Sequence, residues 1–477
     1  MWFSGVASML GSIFFVAVQG TVFNFLLEDL GLLDKLGFFM GLSCLAGIGA
    51  LTGAWIQERF AFRRGLFLWG IGASRLVWLV IGAIPLLWPD WKGAELQWPL
   101  AALVLLFVIT HSMGANAWMS WMGDLIPPEW AGRYWGLRQV GTSAASALSR
   151  FGFGWFLDSH HHPQGYFIVF AFAVVVGVAD ALLFLGVVHR APVRAPSNSN
   201  MFRDLVASLR SPNLRLLIGV YALWNLSNCV MGAAVFRFAR LHVEMGIFDF
   251  SICELLALIT YAIFSLLWGR MADHHGHRGP LIVCLLVHAL CPVYYFFTGP
   301  GDFGLVTLGF VQGSLGFCGV FLFMWPMVIA YTTQKGRGRS VGIAAFTTLL
   351  GLPGFLAYWL TDDYLRPWLM DWTGAPGLDS PPVFLSLFAL VMVLRFAAAG
   401  VALGLPAAET ETPPGHLIRM FAQTNPLRAA MNMVRFVAVG SRAGEAGPFA
   451  EPARAEAGSA CAPAAMPLRN PGKREAE

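Results

Sequence analysis

The 477-residue sequence predicts an all-α fold: a polytopic membrane protein with twelve transmembrane helices in two six-helix bundles related by pseudo-symmetry. Three observations carry that reading. Hydrophobic residues make up 57% of the chain and charged residues only 12%, with a mean hydropathy of +0.63, outside the range of soluble globular domains. Apolar runs recur along residues 2–404, each near the roughly 20 residues that a helix needs to cross hydrocarbon. A short charged sequence recurs at matched places in the two halves of that apolar region. The net charge of +4 adds little, because the side of the membrane on which each charge lies matters more than the sum.

Divided by Gly, Pro and charge clusters, the runs give segments 1 to 12 at residues 2–27, 36–57, 65–88, 98–125, 134–157, 165–188, 214–239, 250–271, 279–298, 303–331, 338–361 and 382–404. They are continuous and about twice the length of a barrel strand, which excludes a β-barrel. Segment 1 has no basic region before it and no small-x-small site after it, so it reads as a retained helix and not a secretory signal. The predicted domains are an N-terminal bundle (1–189), a linker (190–213), a C-terminal bundle (214–406) and a disordered tail (407–477). In the linker, Ser and Asn precede Met201, Phe202, Leu205 and Leu209, the pattern of a short amphipathic helix at a membrane surface. The tail is rich in Ala, Pro, Gly and Glu, and within it residues 426–439 put Leu427, Met431, Val434 and Ala438 on one helical face.

The recurring charged sequence is AWIQERFAFRRG, Ala54 to Gly65, answered by GRMADHHGHRGP, Gly269 to Pro280. Glu58 meets Asp273, Arg59 meets His274, Ala61 meets Gly276 and Arg63 meets Arg278, an offset of 215 residues. A register starting at Gly53 would put Gln57 at the acidic position; the first keeps an acid and both arginines in place. Gly132-Arg-Tyr-Trp-Gly136 is echoed by Gly338-Arg-Ser-Val-Gly342 at an offset of 206. Both hinge sequences resemble the loop between helices 2 and 3 of the major facilitator superfamily and its echo between helices 8 and 9. The first copy departs from that pattern at Ala54, Glu58 and Ala61. The stretch Asn116 to Arg138 resembles the helix 4 to 5 junction of bacterial transporters of that superfamily, and the resemblance spans residues 1–404.

Basic residues set the orientation. Loops after even-numbered segments carry Arg59, Arg63, Arg64, Arg133, Arg138, the linker arginines, Arg270, Arg278, Lys335, Arg337 and Arg339; the other face carries Lys35, Lys92, Arg237, Arg240 and Arg366. The first set is expected to be cytoplasmic, with both termini, in a bacterial inner membrane.

The resemblance implies a central cavity lined by helices 1, 4, 7 and 10, with helices 3, 6, 9 and 12 at the periphery. It points to Gln19, Asn24, His111, Asn116, Trp224, Asn225, Asn228, Gln312 and Trp325, amides and aromatic rings that suit a neutral or polyhydroxylated solute. The same amides could instead join helix to helix, a common use in membranes. Asp180 and Arg395 stand 215 residues apart in segments 6 and 12, where a structural role competes with proton coupling at Asp180. The resemblance also implies a cytoplasmic latch of Glu58, Arg59, Arg63 and Asp124, with Asp273 and Arg278 as the second hinge; the alternative is that Arg63 and Arg64 serve only to fix the topology. Arg150 in segment 5 and Glu254 in segment 8 lie at similar depths, and the implied fold sets those helices face to face. Paired, they would form an outer gate; the alternative is that Glu254 is hydrated at the start of its helix and Arg150 bonds within its own half.

His160 to His162, His274, His275 and His277 lack Cys or carboxylate partners at zinc spacing and read as solvated loop residues. No Walker loop, nucleophile elbow, hydrolytic carboxylate pair or cysteine framework is visible, so neither a cofactor nor enzymatic activity is expected. The expected function is secondary active transport of a small solute by alternating access, with the lipid bilayer as surroundings and a proton or sodium ion as the open choices of coupling ion. A non-transporting receptor or scaffold on the same fold is the alternative. Nucleic acid is not an expected partner.

Overall fold

The structure, a computed structural model, describes residues 2–60, 62–126, 128–160, 163–188, 210–331 and 337–406, all in one unit of the chain. The linker helix expected around Met201 and the whole tail lie outside the described residues. Segment 1 is two helices, α1 (Trp2–Val18) and α2 (Thr21–Asp29), separated at Gln19 and Gly20. Gly20 has φ of 89°, a region that favours glycine, and a Cβ there would lie 3.2 Å from Arg150 Nη1. Segment 2 opens on a short 3-10 turn and continues as α3 (Leu36–Leu42) and α4 (Ala46–Phe60). Segments 3 to 6 are α5 (Arg63–Leu87), α6 (Ala94–Leu125), α7 (Pro128–Ser159) and α8 (Pro163–Leu183).

The second half begins with α9 (Pro212–Leu241), where the Ser211 hydroxyl accepts from Leu214 N at 3.4 Å and proline occupies the first turn, two features that start helices. It continues with α10 (Ile247–His275), α11 (Arg278–Ala289) with a 3-10 extension to Phe297, and α12 (Phe303–Tyr331). Segment 11 runs past its predicted end. After α13 (Arg337–Leu360) the chain takes a π-helical turn over Thr361–Leu365 and goes on as α14 (Arg366–Thr373), stopped by Gly374 in the left-handed conformation. Pro367 did not break it, because it falls in the first turn of α14, where its missing N–H is not needed. α15 (Pro381–Ala402) completes the order.

The two halves pack alike. α1 lies against α7 and α8, α5 against α6 and α8, and α4 against α6; in the second half α9 lies against α13 and α15, α11 against α12 and α15, and α10 against α12. The halves meet where α7 packs on α10 and α4 on α13, again equivalent pairs. Among the described residues, 10 helical stretches are long and apolar enough to cross a membrane. α7 and α13 are of comparable length but richer in Gly, Ser, Thr and Arg. Small residues there permit close approach between halves: a Cβ at Gly154 would fall 2.0 Å from Ser251 Oγ, and one at Gly47 2.4 Å from Thr348 Cα.

Candidate functional site

The break in segment 1 borders a cavity of about 200 Å³ lined by Val18, Gln19, Gly20, Phe23, Asn24, Phe39, Met40, Ser43, Trp78, Val104, Phe107 and Tyr358. Trp78 meets Phe23 and Phe107 edge to face, with ring centroids 5.3 and 5.4 Å apart, and is 1% exposed. Phe107 stacks on His111 at 5.6 Å, and Phe15 meets the same imidazole edge-on at 4.9 Å. Asn24 Oδ1, Trp78 Nε1 and His111 Nδ1 are buried without a hydrogen-bond partner among the described residues. Of these three side chains, Asn24 and Trp78 border the cavity.

Beyond Gly20 this end of the molecule is closed by contacts between the halves. Arg150 Nη1 donates to Glu254 Oε2, Arg240 Nε donates to Glu28 Oε1 at 3.0 Å, and Lys35 Nζ lies 3.3 Å from Asp363 Oδ1. Arg237, 3% exposed, donates from Nε to the Leu33 carbonyl at 3.1 Å and from Nη1 to Asp362 Oδ1 at 3.3 Å. Asp362 in turn accepts from Gly37 N at 2.9 Å and from Arg366 Nη1 at 3.3 Å. The π-helical turn adds a residue to the helical period, setting Asp362 toward Arg237 while its neighbour Asp363 meets Lys35. Phe25 meets the stacked pair Phe236 and Phe250 edge-on at 5.4 and 6.0 Å, an apolar contact among the ion pairs.

Each half also buries a cation. In the first, Arg75 Nη2 donates to Asp180 Oδ2 at 3.2 Å, with the guanidinium 3.8 Å from the centre of the Phe14 ring. Gly11 and Gly177 make room, since a Cβ at either would sit 2.7 Å from Asp180 Oδ2 or 2.9 Å from Arg75 Cδ. In the second half the sign is reversed: Arg395 occupies the place equivalent to Asp180. It donates to Ser227 Oγ at 3.2 Å, Asn228 Oδ1 at 3.0 Å and the His288 carbonyl at 2.9 Å. Among the described residues no carboxylate touches it. A buried guanidinium is tolerable there because its donors meet fixed dipoles in place of water.

At the hinge end, Arg64 Nη2 donates to the Leu185 carbonyl at 2.6 Å and Arg278 Nη2 to the Leu403 carbonyl, so an arginine at the start of α5 and another at the start of α11 hold the chain just past α8 and α15. Arg63 is 2% exposed and reaches Ser120 Oγ at 3.5 Å, whereas Arg59 is exposed. The side chains of Glu58, Asp124 and Asp273 lie outside the described residues, and with them the expected latch contacts.

The sequence-derived cavity residues divide into two groups. Gln19 and Asn24 line the cavity and His111 stands behind its Phe107 wall. The rest tie helices together: Asn116 Nδ2 donates to the Ala50 carbonyl at 2.6 Å, Asn225 Nδ2 to the Leu350 carbonyl at 2.9 Å and Gln312 Nε2 to the Val287 carbonyl at 3.3 Å. Trp224 Nε1 donates to His288 Nδ1 at 3.0 Å, Asn228 accepts from Arg395, and Trp325 packs on Phe346. Sequence reasoning missed Ser43, Trp78 and Tyr358 as lining residues and Glu28, Arg237, Arg240 and Asp362 as closing ones. The signal available for the second group was charge at segment ends; for Trp78, on a helix expected to be peripheral, there was none.

This is the architecture of a membrane transporter, two repeated helical halves sealed at one end with a cavity behind the seal. Residues 1–358 match the family profile of the Major Facilitator Superfamily, and the chain belongs to that family of transporters, which are not enzymes. Solved structures agree in fold. A bacterial homologue of the iron transporter ferroportin in an outward-facing state aligns with TM-score 0.61 at 13% identity, over 85% of this chain and 98% of that one. The POT family transporter PepTSo aligns with TM-score 0.63 at 11% identity, over 84% and 97%. The human organic anion transporter MFSD10 gives 0.58 at 16%, over 83% and 98%. In sequence, no curated protein matches the chain.

Proposed function

We propose that this protein is a secondary active transporter that carries a small uncharged solute by alternating access, and that the cavity at the break of segment 1 is its solute site. The observation that carries the reading is the gathering of Arg150–Glu254, Arg240–Glu28 and Arg237–Leu33 contacts between the halves at one end, directly beyond that cavity. Seals of this kind suit a switch, because ions desolvated in the closed state regain water when the halves part, so their net contribution to either state is small. By the distribution of basic residues the hinge end and both termini are cytoplasmic, and the sealed end faces outward across a bacterial inner membrane. Asp180, buried and paired with Arg75, is the residue through which a proton would be coupled.

The test uses protein in liposomes with its native cysteines replaced and Gln19→Cys as reporter, labelled from outside by an impermeant maleimide. Arg150→Glu and Glu254→Arg each raise the labelling rate, and the double variant returns toward the parent. A double variant labelled as fast as the faster single one would refute the gate. A receptor on the same fold would respond to solute in this assay and yet support no counterflow under any gradient.

A further inference from the structure

We infer that the cavity at the break takes a single uncharged planar ring carrying both a hydrogen-bond donor and an acceptor, the chemistry of a pyrimidine base or an aromatic carboxamide. This rests on the transport reading only in taking the cavity as the solute site. Size sets the first limit. An apolar cavity of about 150 Å³ holds a benzene ring, so about 200 Å³ is room enough for one ring with small substituents. Shape sets the second. Phe23, Phe39, Phe107, Trp78 and Tyr358 wall the space, and neighbouring rings stand nearly perpendicular: Trp78 to Phe23 at 83°, Trp78 to Phe107 at 82°, Phe23 to Phe39 at 84°. A flat ring meets one such wall face-on and the next edge-on, the two favoured aromatic geometries.

Polarity sets the third limit. Asn24 Oδ1 and Trp78 Nε1, an acceptor and a donor on side chains that both border the cavity, have no partner among the described residues. Neither atom is open to solvent, so this mode of binding requires the amide and the indole to turn as the ligand seats. Among the described residues no Asp, Glu, Lys or Arg lines the cavity, and the charges of Arg150 and Glu254 beyond Gly20 pair with each other. A charged ligand would lose its hydration against aromatic walls with no counter-charge to replace it. A polyol turns a hydroxyl outward at each carbon, and these ring faces would leave most of them unpaired. The polyhydroxylated solutes that the sequence allowed are therefore disfavoured, and the neutral ones kept.

The experiment measures saturable binding of radiolabelled benzamide and uracil to the full chain in lipid nanodiscs, with benzoate, toluene and erythritol as competitors. Benzoate has the shape of benzamide with a negative charge, toluene has the ring without the polar pair, and erythritol has hydroxyls without a ring. The expected result is binding of both labelled compounds, with each competitor at least about tenfold weaker, and with Asn24→Leu and Trp78→Phe each weakening binding about tenfold, which is 1.4 kcal/mol. Should a variant fail to fold, the competitor ranking on the unaltered protein decides. Benzoate or erythritol competing as well as the amide overturns the inference, and so does folded protein that binds neither labelled compound. Binding without counterflow in liposomes would sink the transport reading and leave this inference standing.

Discussion

Replacing Asp362 with Ala should open the sealed end. Its carboxylate, on a side chain 5% exposed, holds Gly37 N from the first half and both Arg237 and Arg366 from the second. Arg366 keeps Asp379, and Arg237 keeps the Leu33 carbonyl, so neither loses every partner. Removing one member of a buried ion pair costs about 3–5 kcal/mol; the surviving Leu33 contact sets the lower figure, about 3 kcal/mol, as the estimate. That cost is felt only while the end is shut, because opening brings water to Arg237 and to Gly37 N. About 3 kcal/mol is roughly a 150-fold shift of the closed-to-open ratio. A cysteine at Ser43, on the cavity wall, reports the shift as its labelling rate by an impermeant maleimide added to the sealed face. Asp363→Ala is the control: its pairing with Lys35 is about one-third exposed on both sides, and pairs of that kind contribute little. The reasoning fails if Asp362→Ala labels no faster than Asp363→Ala, or if both leave the rate at the parent value.

Other outcomes follow from the same contacts. Asp180→Asn leaves Arg75, 1% exposed, beside a neutral amide, and should lower stability by about 3 kcal/mol; thermal unfolding in detergent measures it, and Arg75→Met with Asp180→Leu should recover most of the loss. If the double variant is the least stable of the three, the pair is not what holds that region. Gly20→Ala forces a side chain into a positive-φ conformation and against the Arg150 guanidinium, a cost of about 1–3 kcal/mol; unchanged Ser43→Cys labelling together with an unchanged unfolding temperature would count against a strained break. Arg63→Ala should shift the population toward opening at the hinge end, read from the labelling of cavity cysteines from that side, and an unaltered rate would sink the latch.

What the sequence determined by itself follows from the bilayer as solvent. Hydrocarbon demands helices of a set length, so composition and apolar runs suffice for an all-helical membrane protein, and the repeat at Glu58 and Asp273 divides it into halves that do pack alike. Arg150 and Glu254 could be set at one depth by counting along segments 5 and 8, and the structure has them in contact. Tertiary structure decided the rest. Whether an amide faces a cavity or a neighbouring carbonyl depends on helix rotation and on the gap between helices, neither of which one strand of sequence encodes. Thus Asn24 borders the cavity while Asn116, similar in chemistry and equally buried, bonds to the Ala50 carbonyl. Trp78 sits on a helix expected at the periphery, yet it reaches the cavity because segment 1 breaks at Gly20. Asp362 meets Arg237 and Gly37 because a π-helical turn carries segment 11 past its apolar end, a register shift that hydropathy cannot register.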